Sequence, residues 1–293
     1  MTDLTGLYVP LITPFTEQGA LDDSALEQLA HRVVDDGATG LLALGTTAEA
    51  PMLTEAERAR VLAVCDRVCT DRAVPLVVGA GTNDTARSAA ALADLRQYPQ
   101  VRAALTVVPY YVRPGGAGVV EHFRALAASS PVPLLIYNIP YRTGQAVTWR
   151  TMAELAMTPG IAGVKHAVGA VDDDTLAMMA GRPPGFSVLC GDDLYTSPLL
   201  ALGADGAILA SAHVRTAEFA SLIRLWRDGA AEEARQLGHR LTHVARALFA
   251  EPNPVVIKAV LHRLGQIPSP VVRLPLVQAS EAAAAAAMCV AAG

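Results

Sequence analysis

The chain has 293 residues, 52% of them apolar and 17% charged, with a formal net charge of -5. That length allows one large domain or two ordinary ones with a core able to enclose a site, and the apolar excess suits parallel strands covered on both faces, or a large oligomer interface. There is no basic run to prepare a surface for nucleic acid or anionic lipid, no long uninterrupted apolar span and no signal-sequence pattern at the N-terminus. A cytoplasmic protein without nucleic-acid or membrane partners is expected.

Short β-branched runs alternate with longer helical stretches along the chain. Strands are predicted at Tyr8–Thr13, Gly40–Leu44, Leu76–Gly79, Ala103–Val108, Leu134–Asn138, Ile161–Lys165, Ser187–Cys190 and Gly206–Ala210. Between them the pattern predicts helices at Ser24–Asp36, Thr54–Thr70, Asp84–Gln97, Ala117–Ser129, Thr148–Met157, Asp172–Ala180, Leu194–Leu202 and Thr216–Asp228. Thr54 with Glu57 forms a capping box, and Asn83 and Thr148 are further cap candidates. This β-α alternation, with no glycine-rich dinucleotide fingerprint after the first strand, predicts an α/β fold, a closed (β/α)8 TIM barrel; an open nine-stranded sheet is the competing arrangement. Three more helices, Ala231–Phe249, Pro254–Leu264 and Leu276–Ala291, form a C-terminal helical appendage. The expected division is a barrel catalytic domain over 1–229 and a C-terminal helical subdomain over 230–293.

Only two of the 23 basic residues are lysines, and Lys165 closes the apolar run Ile161-Ala162-Gly163-Val164. Burial disfavours an ammonium and lowers its pKa, which is the condition a Schiff-base nucleophile needs; a side chain that snorkels from the strand end into water is the plainer alternative. In a barrel, the C-terminal strand ends converge on one mouth. There the sequence brings Gly45-Thr46-Thr47-Ala48-Glu49, Pro109-Tyr110-Tyr111, Tyr137-Asn138, Arg142, Lys165, Gly191-Asp192-Asp193 and the region of Ser211. A neutral Lys165 amine can attack a ketone, and the resulting iminium lets the adjacent carbon become an enamine nucleophile. Tyr137 can pass protons in that chemistry, with Thr46 and Tyr111 as relay candidates, or can be a barrel-wall aromatic. Backbone amides of the Gly45-Thr46-Thr47 turn can hold a carboxylate. Arg142 suits a second carboxylate by bidentate pairing, or a surface salt bridge.

These motifs, together with Ile139-Pro140, Thr143-Gly144 and Glu251-Pro252-Asn253-Pro254, resemble the dihydrodipicolinate synthase and N-acetylneuraminate lyase superfamily from about Gly6 to Leu276, and are most like its dihydrodipicolinate synthase branch. The resemblance implies a lyase of the lysine and diaminopimelate route that condenses pyruvate with aspartate semialdehyde. It implies that Lys165 forms the pyruvate Schiff base, that Tyr137, Thr46 and Tyr111 relay protons, and that Thr46 and Thr47 bind the pyruvate carboxylate. Arg142 would take the carboxylate of the aldehyde, and Gly191 and Ile208 would line the pocket through their backbones. It further implies a homotetramer in which Tyr111 enters a neighbouring subunit's site, with no cofactor and no metal. A pyruvate aldolase for a sugar-acid type of aldehyde and a non-catalytic barrel paralogue are the alternatives.

Ala48 and Ala50 replace a glycine and a serine usual in the family, and His166 follows the lysine where an acidic residue is common. Ala48 disfavours a positive φ in the turn. His166 should face away from Lys165, although a protonated imidazole there would still lower the amine's pKa. Glu55, Arg58 and Arg87 stand where some members bind feedback lysine, although Asn83 and Tyr110 remain, so weak or absent inhibition by lysine is expected; inhibition at micromolar lysine would refute this. His239 and His243 lie one helical turn apart without further ligands, Asp172-Asp173-Asp174 complements a helix N-terminus, Lys258 reads as structural, and the four cysteines as reduced thiols.

Overall fold

A computed structural model describes residues 4–292. The strands β1 (Gly6–Pro10), β2 (Gly40–Ala43), β3 (Leu76–Gly79), β4 (Val101–Val107), β5 (Leu134–Asn138), β6 (Ile161–His166), β7 (Ser187–Cys190) and β8 (Gly206–Ile208) follow one another in chain order around a closed barrel. The pairing is parallel, as between β5, β6 and β7. Strands of this kind are covered on both faces, and every residue of β5, β6 and β7 is buried. The closure of the barrel matches the expected (β/α)8 fold and excludes the competing open nine-stranded sheet.

Between and after the strands lie α1 (Asp23–Asp35), α2 (Glu55–Arg72), α3 (Thr85–Ala93), α4 (Gly115–Ser129), α5 (Pro140–Thr143), α6 (Trp149–Ala156), α7 (Asp173–Gly181), α8 (Thr196–Ala201), α9 (Ala212–Arg227), α10 (Ala231–Leu248), α11 (Val255–Arg263) and α12 (Glu281–Ala292). Their starts are chemically marked. Thr54 and Glu57 close the capping box on α2, and Thr148 accepts from the Thr151 amide at the start of α6. Asp84, rather than Asn83, caps α3 by accepting from the Arg87 amide.

Two boundaries differ instructively from the sequence pattern. β1 starts at Gly6, whose amide donates to Asp205 O at 3.0 Å, so strand pairing begins before the β-branched run. The last helix starts at Glu281 and not at Leu276. Ser280 Oγ accepts from the Ala283 amide at 3.2 Å and donates to Glu251 at 2.6 Å, which places the cap there rather than at the preceding apolar residues.

The chain divides into two compact units, one holding the described residues up to Gly6 with Val77–Ile208, the other Leu7–Leu76 with the described residues from Leu209 on. In the first, β4 to β8 pair in parallel, with one register shift between Leu134 and Leu135 of β5, and α3, α4, α6 and α7 pack in succession. In the second, α1 packs on α2, and α9 to α12 pack on one another. Among the described residues no helix is long and apolar enough to cross a membrane.

Candidate active site

Lys165 sits on β6 opposite Tyr137 of β5, and one residue further His166 pairs with Asn138. Neighbouring parallel strands in register point equivalent residues to the same side. Lys165 and Tyr137 therefore share a face, with the amine 4.4 Å from the centre of the Tyr137 ring. Lys165 is 6% exposed, so it does not snorkel into solvent. Burial pulls its pKa down to about 8; the charges of Asp193 and Cys190 oppose that shift and Arg142 adds to it. About a tenth of the amine is thus neutral at pH 7, far more than for an exposed lysine.

Gly191 follows β7 beside this lysine. A Cβ there would lie 2.6 Å from Lys165 Cγ and 2.8 Å from Cε, so the missing side chain is the space the lysine stem occupies. The Gly191 amide donates to His166 O at 2.7 Å, which fixes the backbone in that position. Ile208 ends β8 and is buried.

His166 points the other way, as strand alternation requires. Its Nε2 lies 2.9 Å from Thr175 Oγ1 on α7, and burial takes its pKa down to about 4. The imidazole is therefore neutral near neutral pH, and desolvation, not His166, depresses the amine.

Arg142 lies exposed in α5, which Gly144 ends with a left-handed φ of 72°. Its Nε donates to Tyr141 Oη at 2.9 Å, and the guanidinium lies 5.0 Å from the Tyr141 ring centre. Tyr111 is 87% exposed and has a φ of 68°, in the region that favours glycine. It is not packed with Lys165 and Tyr137 within one chain.

In the second unit, Thr46–Ala48 form one 3₁₀ turn and Ala50–Met52 another. Ala48 does not take a positive φ; Glu49, between the turns, takes it instead at 55°, so the alanine is accommodated. Thr47 is buried and its Oγ1 accepts from Asn253 Nδ2 at 2.9 Å, while Thr46 is half-buried. Thr13 Oγ1 donates to Ala48 O at 2.7 Å. The Glu49 carboxylate is fully buried and accepts from Lys258 Nζ at 2.7 Å and from the Arg273 amide at 2.8 Å. Lys258 also donates to Thr13 O at 2.9 Å, and burial lowers its pKa against the pull of Glu49. Phe15 has the Lys258 amine at 4.2 Å and the Arg273 guanidinium carbon at 4.3 Å from its ring centre. Among the described residues no group of three or more His, Cys, Asp or Glu side chains could hold a metal ion.

A sequence model of the dihydrodipicolinate synthetase family matches residues 3–291. The chain belongs to this family. Among its relatives, a 4-hydroxy-tetrahydrodipicolinate synthase of Moorella thermoacetica is 39% identical over 274 residues, 94% of this chain and 92% of that protein. A 4-hydroxy-tetrahydrodipicolinate synthase 2 of Clostridium acetobutylicum is 35% identical over 95% of this chain and 96% of that one. A crystal structure of dihydrodipicolinate synthase from Bacillus anthracis superposes with a TM-score of 0.93 at 30% identity, covering 100% of this chain and 99% of that one. A structure described as a monomeric dihydrodipicolinate synthase variant superposes with a TM-score of 0.92 at 31% identity, covering 98% of this chain and 95% of that one.

Sequence reasoning placed Asp193 and Asn253 within motifs but gave neither a role, and it missed the partners of Lys258 in this member of the dihydrodipicolinate synthetase family. Asp193 is buried, and its charge acts on Lys165. A pair of acids directly after a buried strand was the available signal. Nothing in the sequence pairs Lys258 with Glu49, 209 residues away.

Proposed function

We propose that the chain is a class I pyruvate-dependent lyase, a 4-hydroxy-tetrahydrodipicolinate synthase that condenses pyruvate with L-aspartate 4-semialdehyde in lysine and diaminopimelate biosynthesis. The observation that carries the reading is the buried Lys165 amine, depressed to a pKa of about 8 and set against Tyr137. The unprotonated amine attacks the pyruvate ketone and forms a carbinolamine. Tyr137 donates a proton to its hydroxyl, which leaves as water and yields the iminium. Loss of a C3 proton gives the enamine, whose carbon bonds to the aldehyde carbon as the aldehyde C=O π bond opens, its oxygen takes a proton to become a hydroxyl, and the nitrogen returns to the iminium. The amino group of the second substrate then displaces Lys165 as the ring closes, so the reaction releases one water overall. The electron sink is the iminium itself, and no cofactor is called for.

In this reading Thr46 and Thr47 hold the pyruvate carboxylate, Thr46 and Tyr111 extend the proton relay from Tyr137, and Arg142 receives the carboxylate of the aldehyde. Gly191 and Ile208 line the pocket through their backbones. The exposure of Tyr111 supports its delivery to a neighbouring subunit in the homotetramer that the family resemblance implies, and a cytoplasmic location is proposed with it. Residues 1–229 then carry the chemistry, while residues 230–293 form a helical subdomain that supports it.

Borohydride reduction in the presence of pyruvate tests this reading. One pyruvyl adduct per chain is expected, mapped by peptide mass to Lys165 and absent from Lys258. No adduct, or an adduct confined to Lys258, would overturn it. Parallel turnover assays with aspartate semialdehyde and a sugar-derived aldehyde test the second substrate, and faster turnover of the latter would reject the synthase assignment.

A further inference from the structure

The Thr47 hydroxyl takes its polarity from the amide of Asn253 that faces it. A threonine hydroxyl offers one hydrogen and two lone pairs. Asn253 Nδ2, which can only donate, points at Thr47 Oγ1 from 2.9 Å. The oxygen therefore accepts on that side, and its own hydrogen must be directed elsewhere. Nearby carbonyls of the turn already have partners: Gly45 O accepts from the Ala48 amide, Thr46 O from the Glu49 amide, and Ala48 O from Thr13 Oγ1.

Asn253 Oδ1 is buried and has no hydrogen-bond partner among the described residues. A buried acceptor left unpaired costs free energy, and the reverse amide orientation would recover none of it without taking the Thr47 hydrogen. The segment is also held firmly. Lys258, one helical turn beyond, anchors it to Glu49 and Thr13, while the Lys258 amide donates to Pro254 O at 3.0 Å. The buried ion pair thus ties the segment that presents Asn253 to the turn that presents Thr47.

We infer that Asn253 is a positioning residue that holds the Thr47 hydroxyl as a hydrogen-bond donor for the substrate carboxylate. This rests on the reading of Thr47 as part of the pyruvate site. The direction of the bond is the testable point. An aspartate at 253 would accept the Thr47 hydrogen and turn oxygen lone pairs toward the incoming carboxylate, whereas a site in which Asn253 accepts would tolerate aspartate.

The experiment is borohydride trapping across a pyruvate titration in the full-length protein, with thermal unfolding of each variant as the folding control. For Asn253→Asp the pyruvate concentration for half-maximal trapping should rise about tenfold to a hundredfold, the range for losing a hydrogen bond to a charged group, with trapping at saturation nearly unchanged. Asn253→Ala should raise it less than Asn253→Asp. In a Thr47→Val background Asn253→Ala should add nothing, because it acts through the hydroxyl that is gone. Should Asn253→Asp fail to fold, the cycle of Asn253→Ala with Thr47→Val decides alone. Half-saturation in Asn253→Asp equal to wild type, or multiplicative effects of Asn253→Ala and Thr47→Val, would overturn the inference. Absence of trapping in the wild type would instead overturn the pyruvate reading on which it depends, so the two failures are distinct.

Discussion

Gly191→Ala probes the lysine without touching its chemistry. The added methyl would lie 2.6 Å from Lys165 Cγ, 2.8 Å from Cε and 3.2 Å from Ala167 Cβ. Carbon atoms in contact settle at about 3.5–4.0 Å, so the lysine stem must retreat by about 1 Å. Gly191 is not among the residues with positive φ, so the substitution adds bulk without left-handed strain. The stem is flexible, and overpacking should cost about 1–3 kcal/mol, which leaves the protein folded. A displacement of about 1 Å at a reacting group can cost on the order of a hundredfold in rate. Single-turnover borohydride trapping at saturating pyruvate should therefore slow by that order, with only a modest fall in Tm. A folded variant that traps pyruvate at the wild-type rate would show that Gly191 does not make room for the reactive amine.

The first-order rate of Schiff-base formation should rise with pH through about 8 as Lys165 loses its proton, and a rate flat from pH 6 to 9 would contradict the burial argument. His166 and His213 are both buried, and burial lowers each pKa to about 4, so both are neutral in the folded protein near neutral pH. His213 Nε2 accepts from the Ile12 amide at 3.1 Å, a bond its protonation would abolish. Because the unfolded chain binds these protons first, stability should fall as pH drops from about 6.5 to about 4, by on the order of 3 kcal/mol per histidine; denaturant unfolding across that window reads it, and a flat profile would refute it. Lys258→Met leaves the Glu49 carboxylate buried without its cation and should cost about 3–5 kcal/mol in denaturant unfolding, whereas adding Glu49→Leu should restore part of the loss. No recovery in the double variant would mean that the two side chains do not act as a pair.

Much of this protein was legible one residue at a time. The β-α alternation identifies the barrel because strands covered on both faces must be apolar throughout, and that requirement is local in sequence. Lys165 stood out for the same reason, a charge closing an apolar strand, and Tyr137 and Arg142 follow recognisable strand ends. The direction of His166 followed from alternation, and its charge state did not, because that depends on how completely α7 covers it. The turn at Ala48 shows a similar limit: an alanine there disfavours a positive φ, and only the folded backbone shows that Glu49 takes it instead.

Distant pairings were decided only in the folded chain. Asn253 meets Thr47 across 206 residues, and Lys258 meets Glu49 across 209. Periodicity states whether a side chain is buried, and says nothing of which buried partner satisfies it. That choice depends on packing, because a buried charge or amide has few geometries in which desolvation is offset by a bond. The sequence alone determined a barrel with a lysine closing one of its apolar strands. The tertiary structure determined what surrounds that lysine: the space left by Gly191, the ring of Tyr137, and the desolvation that lowers the amine's pKa to about 8.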